Sequence, residues 1–365
     1  MHALTILQRC LGPLLTGIHA RRLATLLEAV AATVCGPRLT LTDIGRRFGG
    51  EASLRNKIKR SDRLLGNRQL QGQARTIYGA LAAVLLRGLV EPLIVIDWLG
   101  NRQVQHRFLQ RLAQMLPASA EPIIVADSGF KVPFFREVER LGWRWLGRVR
   151  GRDYIKLKQR WRSCKRVFEE ATTTASCLGT GQWVRSNPLC ALFVLVRRPK
   201  QGRQAKTAAG KRARSKKSQQ AARAAREPWL LVASTRFADW PAKRLVRVYR
   251  QRMQIELSFR DMKSEHFGEG LERSASSGTG RFTVLVLIAS LAAILLWLIG
   301  TAAERTGLHE RLRPCSGKRR AYSRLFLARL LLTVEHCKAA AADLADAIGP
   351  LDQWVASSHA ALLAD

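Results

Sequence analysis

Two short apolar runs, each ending in an aspartate, restrict this chain more than any other feature. Residues 93–97 read LIVID and residues 122–127 read PIIVAD. Short runs of branched apolar residues bounded by polar sequence are the mark of buried strands. Between them, Val104, Phe108, Leu109, Leu112 and Met115 recur at helical spacing. A strand–helix–strand unit with a crossover of this length sets its two strands parallel. Asp97 and Asp127 then stand at the same C-terminal edge of one sheet, about 4.8 Å apart if their strands are neighbours. Singly, each is an ordinary turn former. As a pair they offer the oxygen ligands that a hard divalent cation takes.

A third acid lies in the stretch Tyr249 to Lys263, YRQRMQIELSFRDMK. At about 100° per residue, Tyr249, Arg252, Glu256 and Lys263 fall within roughly 60° of one helix face about 21 Å long. One carboxylate flanked by two cations and a phenol suits a metal held over a phosphodiester. Alone, Glu256 is equally a surface residue paired with Arg252 or Arg260. Two strand-end aspartates, Asp97 and Asp127, and a later helical glutamate, Glu256, are what a two-metal site requires, where two Mg²⁺ ions ~3.5–4 Å apart stabilise the attacking and leaving oxygens of a phosphoryl transfer. His106 and His266 invite a general-base reading, but such a site needs no protein base, and both are read as bystanders.

The charge agrees with that chemistry. Lys and Arg number 62 against 27 Asp and Glu, a formal +35, which calls for a polyanionic partner: nucleic acid first, an anionic membrane second. Residues 1–80 read as helical, with cations clustered from Arg55 to Arg68. There Lys57, Lys59, Arg60 and Arg63 alternate with the amides of Asn56 and Asn67, a mixture suited to positioning on phosphates with some base reading. Residues 199–226 hold no acid and are rich in Lys, Arg, Ala, Gly, Ser and Gln, the composition of a segment disordered until it meets DNA. Seven cysteines without a C-x-x-C pair fit neither a zinc site nor a disulfide framework, and point to a reducing compartment. Residues 284–300 are uncharged and nearly long enough to span a bilayer; the expectation is a core helix buried against the sheet, with a lone membrane span as the competing reading.

These motifs resemble those of the bacterial insertion-sequence DDE transposases of the Tyr-Arg-Glu-Lys (IS-four) family. The resemblance rests on the Tyr249–Arg252–Glu256–Lys263 spacing, on DSGFKVPFFREVERLGWRWLGRVRG from Asp127 to Gly151, and on IKRSDRLLGNRQL from Ile58 to Leu70. It implies an α/β fold with an RNase H-like catalytic core over residues 81–304, interrupted at 151–228 by a β-rich insertion. A helical DNA-binding domain (1–80) and a helical C-terminal region (305–365) that could dimerise would flank it. It further implies cut-and-paste transposition by Asp97, Asp127 and Glu256 with two Mg²⁺ ions, for which Mn²⁺ can substitute. Tyr249, Arg252 and Lys263 would hold terminal phosphates, and the N-terminal region would bind terminal inverted repeats. A homodimer with two DNA ends in the bacterial cytoplasm, at the nucleoid, completes what it implies.

The chain departs from the family between the first two acids, where roughly twice as many residues are expected. The expectation is that the second and third of the five core strands are lacking, leaving a sheet of about three strands with the first strand's edge uncovered. Two functions follow as expectations: an active transposase on a reduced sheet, or a catalytically impaired derivative that occupies transposon ends or inhibits an intact copy.

Overall fold

The computed structural model describes residues 2–36, 38–97, 100–151, 153–198, 227–264, 269–312 and 322–333, with scattered positions in 211–222 and 353–360. Most of the basic tract, His266 and the Ala-rich stretch at 339–348 lie outside the described residues. In chain order, five helices come first: α1 (His2–Leu11), α2 (Ala20–Val34), α3 (Leu41–Arg46), α4 (Leu54–Leu65) and α5 (Arg68–Leu85). Then follow β1 (Leu93–Ile96), α6 (Arg102–Met115), β2 (Ile123–Ala126), α7 (Val132–Arg140), β3 (Arg144–Val149), β4 (Tyr154–Leu157), β5 (Arg160–Ser163), α8 (Cys164–Glu169), β6 (Ser176–Trp183), β7 (Leu189–Val196) and β8 (Trp229–Ala233). Last come α9 (Ala242–Arg250), α10 (Arg252–Lys263), α11 (Thr279–Arg305), α12 (Leu308–Arg311) and α13 (Arg324–Thr333). They form two units, one made of Met1–Gly88, Gln114–Ala118 and Glu256–Ser357, the other of Leu89–Ala113, Ser119–Ile255 and Ser358–Asp365.

The second unit is built on one mixed eight-stranded sheet, in the order β1-β2-β3-β8-β7-β6-β4-β5. Helical crossovers make β1, β2 and β3 parallel, as the strand–helix–strand spacing demands. From β3 to β8 the sheet turns antiparallel and remains so to its far end. The β-rich segment after residue 151 therefore continues the sheet through β8 instead of standing apart from a three-stranded core. At the other end β1 is the terminal strand; most of its residues are only half-buried, whereas every residue of β2 is buried. The β4–β5 turn is tight: Lys158 and Gln159 both take positive φ (47° and 62°), the combination that a two-residue hairpin loop needs to match strand twist.

The first unit is an all-helical cluster around α11. This helix is long and apolar enough to cross a membrane, yet its side chains from Val284 to Ala303 are largely buried among those of α1, α2, α5 and α13. The expectation that it packs on the sheet is thus corrected. A helix apolar on all sides needs partners on all sides, and here helices supply them. Gly300 allows the closest approach: a Cβ there would stand 2.1 Å from the backbone oxygen of Arg324 in α13.

A charged cluster is sealed in the same unit. Glu269 is 1% exposed, and its carboxyl is pushed up to about 8, chiefly by burial, with Asp261 adding to the rise and Arg329 opposing it. The native group thus stays protonated in a pH range where the unfolded chain has already released the proton, so stability should fall as pH rises from about 5 to about 8. Chemical denaturation across that range should show the decline, and Glu269→Gln should flatten it. An unchanged slope in the variant would exclude Glu269 as the source.

Candidate active site

The acid edge follows from register. β1 and β2 pair from Leu93↔Ile123 to Ile96↔Ala126, and Asp97 and Asp127 are the next residue on each strand. The structure brings these two predicted acids to one edge of one sheet. After Asp127 the chain turns sharply: the Ser128 backbone N–H donates to Asp127 Oδ1, and that of Phe130 donates to the Asp127 carbonyl at 3.2 Å. Asp127 Oδ2 lies 3.8 Å from Nη1 of Arg252, whose side chain is only 12% exposed. A guanidinium from the C-terminal half of this unit is therefore aimed at the strand-end acid.

Tyr249, three residues earlier, is not on the surface as its spacing suggested. It is 2% exposed, its ring set edge-on to Trp229 at 5.0 Å. Burial pushes the phenol up to about 12, against the pull of Arg252, Arg148 and Arg150. The single helix face expected from Tyr249 to Lys263 is also interrupted. α9 ends at Arg250, Gln251 caps it, and α10 starts at Arg252. At the junction the N–H of Gln251 donates to Val248 O and that of Gln254 to Gln251 O, three-residue bonds that tighten the turn. The 100° periodicity therefore does not run through the whole stretch.

Arg148 is a residue that sequence reasoning passed over. Its β3 position shares a face with Leu146, which lies in the buried cluster with Ile123, Val125 and Tyr249. Burial lowers its guanidinium from the usual range, with Tyr249, Glu227 and Asp127 acting the other way. It lies 4.0 Å from Glu227 and over the Trp229 ring. The signal was available: period-2 counting along RWLGRV puts a cation on a core-facing position.

Glu256 and Lys263 are exposed on α10, of which only Asp261 is buried. Glu256 opens the helical unit's share of α10, whereas Asp97 and Asp127 belong to the sheet unit. Among the described residues, no group of three or more His, Cys, Asp or Glu side chains is gathered to hold a metal ion. His106, read as a bystander, pairs with Glu137 at 3.0 Å.

Of the N-terminal cations, Lys59 and Arg63 are exposed on α4 and Lys57 is half-buried. Arg60 is engaged within the fold, paired with Glu28 and stacked 4.9 Å over Phe48. α4 is held against α3 by close backbone approach: a Cβ on Gly45 would lie 2.6 Å from Ile58 Cα.

Residues 59–296, well over half the chain, match the family model described as Transposase DDE domain. The chain belongs to the DDE transposase family. The match spans Asp97, Asp127 and Glu256 as well as Lys59, Arg60 and Arg63. A DDE transposase acts on DNA, and the family uses divalent metal ions. No curated protein matches this chain.

Proposed function

We propose that this DDE transposase is a cut-and-paste enzyme of the Tyr-Arg-Glu-Lys (IS-four) type, acting on the terminal inverted repeats of an insertion sequence. The observation that carries the reading is the parallel register that ends β1 and β2 at Asp97 and Asp127. On this reading β1, β2 and β3 with α6 and α7 are what remains of an RNase H-like core after an internal deletion, and β4 to β7 form its insertion. The reaction is hydrolysis of the phosphodiester at the element's end, releasing a 3′-hydroxyl that attacks target DNA.

The donors suit a hard cation: two carboxylates on adjacent strand ends. Asp97, Asp127 and, in the assembled enzyme, Glu256 would hold Mg²⁺. Bound there, Mg²⁺ supplies charge stabilisation at the oxygens of the phosphate being displaced. The protein's own groups do the positioning. Arg252, directed at Asp127, can take two oxygens of a terminal phosphate at once, and Lys263 adds a second cation from the exposed face of α10. Tyr249 acts through burial: packed on Trp229, it fixes the end of α9 and hence the direction in which Arg252 leaves the junction. Lys57, Lys59 and Arg63 on α4 contact the inverted repeat, with Arg60 bracing that helix. Paired ends require a homodimer.

The test is purified protein with DNA carrying the repeats that flank its own gene, in Mg²⁺ or Mn²⁺, beside a Glu256→Gln control. Nicked products lost in the control, with end binding retained, are expected. Specific binding without products from the unaltered protein would instead identify an end-occupying derivative that inhibits an intact copy. Equal nicking by both proteins would refute Glu256 as a ligand.

A further inference from the structure

The acid edge has a neighbour that none of these assignments uses. In the sheet unit a cleft of about 740 Å³ lies between α6 and α7, lined by Arg102, Gln103, His106 and Arg107 on one side and by Phe134 and Glu137 on the other. Topology fixes where it opens. α6 starts five residues after Asp97 and α7 five residues after Asp127, so both helices begin at the edge where β1 and β2 end. The lining residues run from Arg102 to Leu109 on α6 and from Pro133 to Glu137 on α7. The two helices that form the cleft thus start at the sheet edge that carries the carboxylate pair.

Its chemistry is selective. Arg102 and Arg107 are exposed. The one acid in the lining, Glu137, is already engaged by Arg140 at 2.6 Å and by His106 at 3.0 Å, so it leaves the two arginines' charge uncancelled. Both helices direct their N-termini, with the positive ends of their dipoles, to this side. Asn101 caps α6 through a 3.1 Å bond from the Val104 N–H, while no side chain caps α7, whose N-cap residue is Lys131. Leu109, Pro133 and Phe134 give the cleft an apolar part. Positive rim, amide side chain and apolar floor, at a volume well above that of a single small ion, match a length of sugar–phosphate chain.

We propose that the α6–α7 cleft binds the phosphodiester backbone of the DNA strand that runs past the Asp97–Asp127 edge, with Arg102 and Arg107 as its phosphate contacts. The proposal rests on the reading of that edge as the DNA-cleaving site. It adds a strand-guiding groove on the sheet's own helices, separate from the cations of α4 and α10.

The test uses the full-length protein and a short labelled duplex. Each neutralised phosphate contributes about 0.9 to the slope of log K against log salt for duplex DNA. Arg102→Ala with Arg107→Ala should therefore flatten the slope by about two units while thermal stability is kept, because both side chains are exposed. A wild-type slope in the double variant overturns the proposal. A second measurement separates DNA from free phosphate: a thiol placed by Gln103→Cys is alkylated and located by peptide mass mapping. Protection by the duplex but not by inorganic phosphate at equal phosphate concentration supports the strand assignment. Equal protection by inorganic phosphate, or protection by neither, overturns it. Nicking measured in parallel keeps the two readings apart. A protected cleft in a protein that does not nick would defeat the cleavage reading alone, and nicking with an unchanged slope would defeat the cleft alone.

Discussion

Asp127→Asn is expected to reduce cleavage at the element's ends by about a thousandfold or more while leaving DNA binding intact or tighter. The two halves of that result have different causes. Asparagine keeps the shape of the side chain and can still accept the short bond from the Ser128 N–H, so the turn after β2 survives. What is lost is a negative charge at the edge where a cation is to be held. A metal's contribution to a phosphoryl transfer is several kcal/mol, and each ~1.4 kcal/mol is tenfold in rate. Arg252, meanwhile, loses the carboxylate that lies 3.8 Å away, and its guanidinium becomes more available to phosphate. A gel-shift titration beside the nicking assay reads both. Cleavage within tenfold of wild type would remove Asp127 from the site, and binding that weakens with cleavage would mean the variant had disturbed the fold.

The acid edge was legible in the sequence because it depends on few variables. Four-residue apolar strands, a helix of fourteen residues between them and the handedness of crossovers leave one arrangement for Asp97 and Asp127. The third acid was legible as a residue but not as a place. Helical periodicity treats Tyr249 to Lys263 as one rigid rod, and nothing in YRQRMQIE announces that the chain tightens at Gln251. Nor does a tyrosine's position in such a pattern tell whether its ring is surface or core; Trp229, twenty residues upstream, decides that. The same limit applies to α11. Its composition establishes that every side must be covered, yet sheet and helices are equally apolar partners, and only tertiary contacts choose between them. The α6–α7 cleft was hidden for a related reason: it is made by the packing of two helices, and its arginines look locally like any others among the 62 cations of the chain. Arg148, by contrast, was within reach of period-2 counting along β3.

Trp145→Ala should cost more stability than any change at the acid edge, about 3–5 kcal/mol, the range for truncating a large buried aromatic. Trp145 lies on β3 with no exposure, its ring centre 4.4 Å from that of Phe135 on α7. Its indole N–H donates to Glu139 of the same helix at 2.9 Å. Phe135 in turn lies over Gly147, where an added Cβ would come within 2.7 Å of the ring, and reaches Trp183 of β6 at 5.7 Å. One side chain thus fastens α7 to the sheet by packing and by a charge-assisted bond, and alanine removes both. Trp145→Phe separates them: it retains most of the ring contact and gives up the Glu139 bond, for an expected loss of about 1.5–3 kcal/mol. Urea denaturation of both variants checks the ordering. A loss below about 1 kcal/mol for alanine would mean that α7 is held by something other than this clamp. The consequence reaches the site as well, since α7 starts five residues beyond Asp127 and carries one wall of the cleft. At temperatures where Trp145→Ala is still folded, its DNA salt slope should already be shallower than that of Trp145→Phe, because a wall that moves holds phosphates less well than one that is fixed.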